Sequence, residues 1–226
     1  MSTNETAAYG LVLGALVLVD RARWVQAALV FALAAIAKEP TLLCAAAIAL
    51  WLLQQKKFGP AIAVASISVV PWLVLQFVLH NATGSFGFGS GGENTTGFVA
   101  IPFAGLTGPI WQGLRLGQVA PMVVLAAFMG VFVVVPVVWS IWQLLRRALS
   151  STAWSPEAWL LLFNVAVIPF TPASTFAEPL GMLRFVVGFQ IAFVLFAARG
   201  NHFAALRTSA FWACSTLLML VVDWRG

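Results

Sequence analysis

Residues 24–53 read WVQAALVFALAAIAKEPTLLCAAAIALWLL. Two uncharged runs rich in alanine and leucine, Trp24–Ala37 and Thr41–Leu53, flank the tripeptide Lys38-Glu39-Pro40. Pro40 pushes Glu39 out of the α region and restarts a helix at its first position. The stretch therefore predicts a helix, a tight turn and a second helix running back. The abundant alanine permits close approach of neighbouring helices.

The same pattern extends in both directions. Eight apolar segments are read as Ala7–Val19, Trp24–Ala37, Thr41–Leu53, Ala61–Leu79, Val119–Leu145, Ala158–Phe170, Leu183–Ala198 and Ala210–Val222. The chain is 62% hydrophobic and 8% charged, against about 45–50% and about 25% in ordinary soluble domains. That composition excludes a soluble globular domain. No strict alternation suggests a barrel, and in lipid each backbone group must bond internally, so helix is the expected state. The expectation is an all-α polytopic membrane protein of about eight transmembrane helices. Residues 1–226 form a single integral membrane domain. Several runs fall short of the ~20 residues of a perpendicular span. Flanking Arg, Lys and Trp can extend them by snorkelling and interfacial anchoring. Thr41–Leu53 and Ala158–Phe170 are short enough to be partial or re-entrant.

The few charges orient the chain. Arg21/Arg23, Lys56/Lys57, Arg146/Arg147 and Arg199/Arg207 occupy every second gap, which the positive-inside rule assigns to the cytoplasm. The N-terminus is then outside, in the cell (inner) membrane. It lacks the basic start of a secretory signal. A chain that starts outside suggests the back part of a longer protein, or a partner that supplies the front. The net charge of +5 forms no patch or stripe, which excludes nucleic acid as a partner. Cys44 and Cys214 lie within apolar segments and His80 and His202 are isolated, so neither a metal nor a cofactor is expected.

The remaining gaps hold mixed charges. Residues 81–118 are read as one long extracytoplasmic loop, beginning with the glycine-rich NATGSFGFGSGG. Within it, Ile101–Leu116 reads as an amphipathic piece with Trp111 at headgroup depth. Lys38, Glu39, Glu93, Arg115, Glu178 and Arg184 all fall on this outer side. Arginine and lysine suit a phosphate, the first bidentately and the second as a point charge. Carboxylates suit sugar hydroxyls, as ligands or as proton acceptors. Thr175-x-x-Glu178 also has capping-box spacing. Arg184 needs an anionic partner, and Glu178, six residues away, is not on its helical face. A phosphate fits better. The alternative is that these charges pair with one another and with lipid headgroups.

The run Ala28–Leu43, with its helix ending in Lys38-Glu39 and a second helix following at once, resembles a segment of polytopic GT-C glycosyltransferases. The later order is similar too: Pro71-Trp72 within an apolar segment, a long external loop, then a helix carrying Arg184. Residues 171–184, TPASTFAEPLGMLR, look like the late segment of bacterial members that build cell-surface glycopolymers. The resemblance implies inverting sugar transfer from a polyprenyl-phosphate donor on the extracytoplasmic face. It implies that Lys38 and Arg184 contact the donor phosphate and that Glu39 orients Lys38 or a sugar hydroxyl, with Glu178 and Arg115 as further substrate-binding residues. The family's catalytic acid lies in the first external loop, after the first helix, and nothing here matches it. Glu5 is the single acid before the first span. The catalytic residue is therefore unassigned, and the chain resembles the C-terminal portion of such an enzyme, with a second chain supplying the N-terminal catalytic part. A non-catalytic membrane subunit, or a transporter or flippase of a lipid-linked substrate, are the other readings. Transporters often carry internal repeats, and none is found between the halves. Pro71, Pro136 and Pro169 interrupt helices, which membrane helices tolerate.

Overall fold

The computed structural model describes residues 3–84, 86, 100–150, 153–173, 175 and 185–212. Among them the regular elements are helices, with no strand, as the all-α expectation requires. The chain divides into two compact units, Met1–Thr95 with Trp154–Asn164, and Thr96–Ala153 with Val165–Gly226.

The first unit is an up-and-down array of α1 (Thr3–Asp20), α2 (Trp24–Ala37), α3 (Leu42–Gln54) and α4 (Phe58–Thr83). Between α2 and α3 the chain turns tightly, as the sequence predicts, but the extended residue is Lys38 rather than Glu39: Glu39–Thr41 form one 3-10 turn with Pro40 in its first positions. The other two corners are built alike. At the α1–α2 corner, Ala22 adopts φ 55°, and the amides of Ala22 and Arg23 donate to the carbonyls of Val19 and Leu18, both at 2.9 Å. At the α3–α4 corner, Lys56 adopts φ 58°, and the amides of Lys56 and Lys57 donate to Leu53 and Leu52 at 2.9 Å. This left-handed cap satisfies helix carbonyls that would otherwise lack donors. It also turns the chain in three residues.

Alanine sets the packing of this unit. The buried face of α2 is Ala27, Ala28, Phe31, Ala32, Ala34 and Ala35, against Ala8, Val12 and Ala15 of α1 and Ala61, Val64 and Ser68 of α4. With so little side chain between them, the Ser68 hydroxyl reaches the Ala28 carbonyl at 3.4 Å. That bond places Ser68 beside Ala28, and the alternation of the array makes α4 parallel to α2. At the starts of the two helices Lys57 lies over the Trp24 ring, 5.3 Å from its centroid. The last turns of α4 consequently extend past the end of α2.

The second unit holds α5 (Ala104–Arg115), α6 (Val119–Met129), a π turn at Gly130–Val134, α7 (Val135–Leu149) and α9 (Val187–Arg199), followed by helical residues 203–212. α8 (Pro156–Val167) runs from the first unit's share of the chain into the second's, and ends in a 3-10 turn at Ile168–Phe170. Met129, Val133, Val137, Ser140 and Leu144 form one buried stripe at steps of three and four along α6 and α7. Trp139 packs against Phe193, with centroids 4.8 Å apart, and edge-on to His202.

Two helices among the described residues are long and apolar enough to cross a membrane: Phe58–Thr83, and Val119–Leu149 taken through the π turn. The apolar helices Trp24–Ala37, Glu39–Gln54, Pro156–Phe170 and Val187–Arg199 are shorter. The outward faces of the long pair are apolar. Ile62, Val70, Val74, Phe77 and Val78 are exposed on the first, as are Val123, Val124, Val131, Val135 and Val138 on the second. A continuous apolar exterior of this kind suits lipid and is a liability in water. It suggests membrane insertion.

Candidate functional site

The outer-side residues singled out in the sequence are found in different places. Lys38 and Glu39 lie together at one end of the first unit. Arg115 is the last residue of α5 in the second unit. Glu93, Glu178 and Arg184 lie outside the described residues.

Lys38 is the residue on which α2 stops. Its backbone is extended, with φ −155° and ψ 109°, while its amide still donates to Ala34 at 2.8 Å. Its carbonyl accepts from both the amide and the hydroxyl of Thr41, at 3.1 and 2.8 Å. Thr41 is buried. The main chain of Lys38 is thus held from both sides, and the side chain leaves it in one direction. Its Nζ reaches Oε1 of Glu5 at 2.8 Å. Glu5 sits in the first turn of α1, where a carboxylate is favoured by the helix dipole. The Glu5 side chain is 11% exposed and that of Lys38 is 34% exposed. The Lys38 side chain is therefore partly open to its surroundings, whereas that of Glu5 is nearly enclosed. Glu39 is exposed beside Lys38, and no ion pair to Glu39 occurs among the described residues.

Sequence reasoning set Glu5 aside because no motif surrounds it. The signal that finds it is topological. Two antiparallel helices joined by a three-residue corner bring the start of the first next to the end of the second, so Glu5 and Lys38 must share an end. Glu5 occupies the neighbourhood of Lys38 that the resemblance assigned to Glu39.

His80 lies in the last turn of α4, on the same end of the first unit and beyond the level of Lys38. Its ring stacks on Phe86, with centroids 4.2 Å apart and planes 8° off parallel. Its Nδ1 is buried and has no hydrogen-bond partner among the described residues.

In the second unit, Arg115 is exposed, and with Gly108, Trp111 and Gln112 it lines an open depression of about 640 Å3. The expected interfacial segment is a helix, α5. Its start is fixed by Phe103, whose amide donates to the Pro169 carbonyl, and by Gly105, which lies directly against the Thr171 carbonyl. Glycine is required there because a Cβ would overlap that oxygen. Twelve residues of helix carry Arg115 roughly 15 Å from this anchor. Arg115 is therefore remote from Thr171.

The opposite end of the first unit is basic. Arg21, Arg23, Lys56 and Lys57 lie there, all exposed, at the two left-handed corners. The two ends thus differ in kind, one carrying an ion pair with a neighbouring carboxylate and the other carrying four cations.

Comparison of the chain with protein-family models, with curated proteins and with solved structures finds no match.

Proposed function

We propose that this chain is a polytopic integral protein of the cell membrane that takes part in moving a sugar from a polyprenyl-phosphate donor on the extracytoplasmic side. About eight helices cross the bilayer, with the N-terminus outside and the basic corners in the cytoplasm. Lys38 contacts the donor phosphate, and Arg184 is proposed as a further substrate-binding residue. A carboxylate for the acceptor hydroxyl comes from a second chain. The observation that carries this reading is the Glu5–Lys38 pair: a part-exposed lysine on a tight turn, held by one carboxylate, with Glu39 adjacent. A cation already oriented by a partner meets an incoming phosphate without first losing side-chain freedom.

Sugar transfer measured in membranes of cells expressing the whole chain, supplied with polyprenyl-phosphate sugar, tests it. Lys38→Ala and Arg184→Ala should each lower transfer roughly 10- to 100-fold, as loss of a charged hydrogen bond to substrate does. Unchanged transfer in both variants sinks the donor-phosphate role.

The low exposure of Glu5 favours a second reading, in which the pair is structural and the chain is a non-catalytic membrane subunit. In that case Lys38→Ala lowers the stability of the protein, and both variants leave transfer per folded molecule unchanged.

A further inference from the structure

The basic end of the first unit has more order than charge sorting requires. Both of its corners use the same three-residue left-handed turn, at Arg21–Arg23 and at Gln55–Lys57, although neither contains glycine. Ala22 and Lys56 each accept a backbone conformation that L-residues seldom adopt. The result is that Arg21, Arg23, Lys56 and Lys57 stand on two adjacent corners rather than along a flexible loop. Indoles sit at the same level. Lys57 lies over the Trp24 ring. Trp159 donates from Nε1 to Gln54 Oε1 at 2.8 Å, and its ring packs on Trp154 with centroids 5.1 Å apart. Among the described residues the acids at this end are Asp20, which is exposed, and Glu157, which is half-buried in the first turn of α8. The cations outnumber them.

Indoles at one depth with cations just beyond them match the two layers of a lipid headgroup region, carbonyl and glycerol below and phosphate above. Fixed cations of one sign add selectivity for lipids of net negative charge. We propose that this end of the first unit is a binding surface for anionic phospholipid headgroups, with Arg21, Arg23, Lys56 and Lys57 as the phosphate contacts and Trp24, Trp154 and Trp159 as the ring that sets their depth. The proposal rests on the membrane reading above, but on none of the sugar chemistry.

The test uses the full chain in nanodiscs of phosphatidylglycerol and phosphatidylcholine in equal amounts. Both leaflets then have one composition, and the orientation of the protein has no influence. Native mass spectrometry counts the lipids that stay bound on release. The wild-type chain should retain phosphatidylglycerol in roughly fivefold excess or more. R21Q/R23Q/K56Q/K57Q should lose at least about half of that excess, and R21K/R23K should keep it, since the contact is one of charge. Raising salt to about 0.5 M should reduce the excess as well. If the quadruple variant does not fold, R21Q/R23Q and K56Q/K57Q measured separately should each lose part of it. A bulk lipid ratio on the wild-type chain, or an excess that is equal in wild-type and variants, overturns the proposal. A chain that does not enter the discs at all overturns the membrane reading with it, so the two failures are distinct.

Discussion

The indole Nε1 of Trp212 donates to the carbonyl oxygen of Phe132 at 3.1 Å. That carbonyl lies in the π turn at Gly130–Val134, four residues before Pro136. A proline has no amide hydrogen and its ring crowds the carbonyl four residues back. Phe132 is therefore the residue whose α-helical donor is missing. The wider turn makes room for the ring, and Trp212 supplies a donor in place of the one lost.

Trp212→Phe should lower stability by about 0.5–1.5 kcal/mol, the usual worth of such a bond. Pro136→Ala restores an amide that can reach the same carbonyl, so the penalty of Trp212→Phe should shrink in that background. Thermal unfolding of the four proteins in detergent reads the cycle. Equal penalties in both backgrounds would show that the indole does not replace the missing amide.

Gly105 and Gly108 are one turn apart on α5 and should respond oppositely. A Cβ on Gly105 meets the Thr171 carbonyl, which is backbone and cannot swing aside, whereas nothing lies within 4 Å of a Cβ on Gly108. Gly105→Ala should cost about 1–3 kcal/mol through overpacking. Gly108→Ala should be neutral or stabilise by up to about 1 kcal/mol through helix propensity. Melting temperatures of the two variants decide the matter, and a neutral Gly105→Ala contradicts the close approach of α5 to Thr171.

The Glu5–Lys38 pair is partly screened by water on the lysine side, which limits its worth. Lys38→Ala removes the ammonium 2.8 Å from an almost buried carboxylate, so it should cost about 1 kcal/mol. Glu5→Gln in the same background should recover part of that loss, giving a coupling of about 1 kcal/mol. Additive penalties in chemical denaturation would mean that the contact contributes nothing to stability.

The orientation proposed for the chain has its own measurement. In a C44A/C214A background, a single cysteine at Gly84 should react with a membrane-impermeant thiol reagent on intact spheroplasts, and one at Lys56 only after permeabilisation. The reverse pattern inverts the topology and removes Lys38 from the extracytoplasmic side.

Much of the helix pattern was legible in the sequence where charge and proline punctuate it. Trp24–Ala37 is read to the residue, because Arg23 stands before it and Lys38-Glu39-Pro40 after it. Elsewhere hydropathy stops before hydrogen bonding does. The fourth apolar run ends at Leu79, but α4 continues to Thr83, where Gly84 caps it at φ 75° and donates to His80 at 2.8 Å. The run ending at Leu145 continues through Arg146 and Arg147 to Leu149, since their long side chains need not break a helix to reach water. The last segment is already helical from residue 203, ahead of the expected start at Ala210. Pro136 was expected to interrupt its helix, and a single π turn absorbs it instead. Of the site, Lys38 was found by its turn, but its partner is 33 residues away and belongs to tertiary structure. Gly105 reads as a loop glycine, and its close approach to Thr171 has no signal within its own segment.

The unequal helix lengths of the first unit have a consequence for the bilayer. α2 and α3, at 14 and 13 residues, span about 20 Å each, while the 26 residues of α4 span about 39 Å. A hydrocarbon layer of about 30 Å is too thick for the first two and too thin for the third. If α2 and α3 cross the bilayer as proposed, lipid beside them must thin, or water must enter, while α4 tilts or projects. The Lys38 turn would then lie at the floor of a dimple in the membrane, walled on one side by the end of α4. A lipid whose headgroup must descend to be reached would find the barrier lowest there.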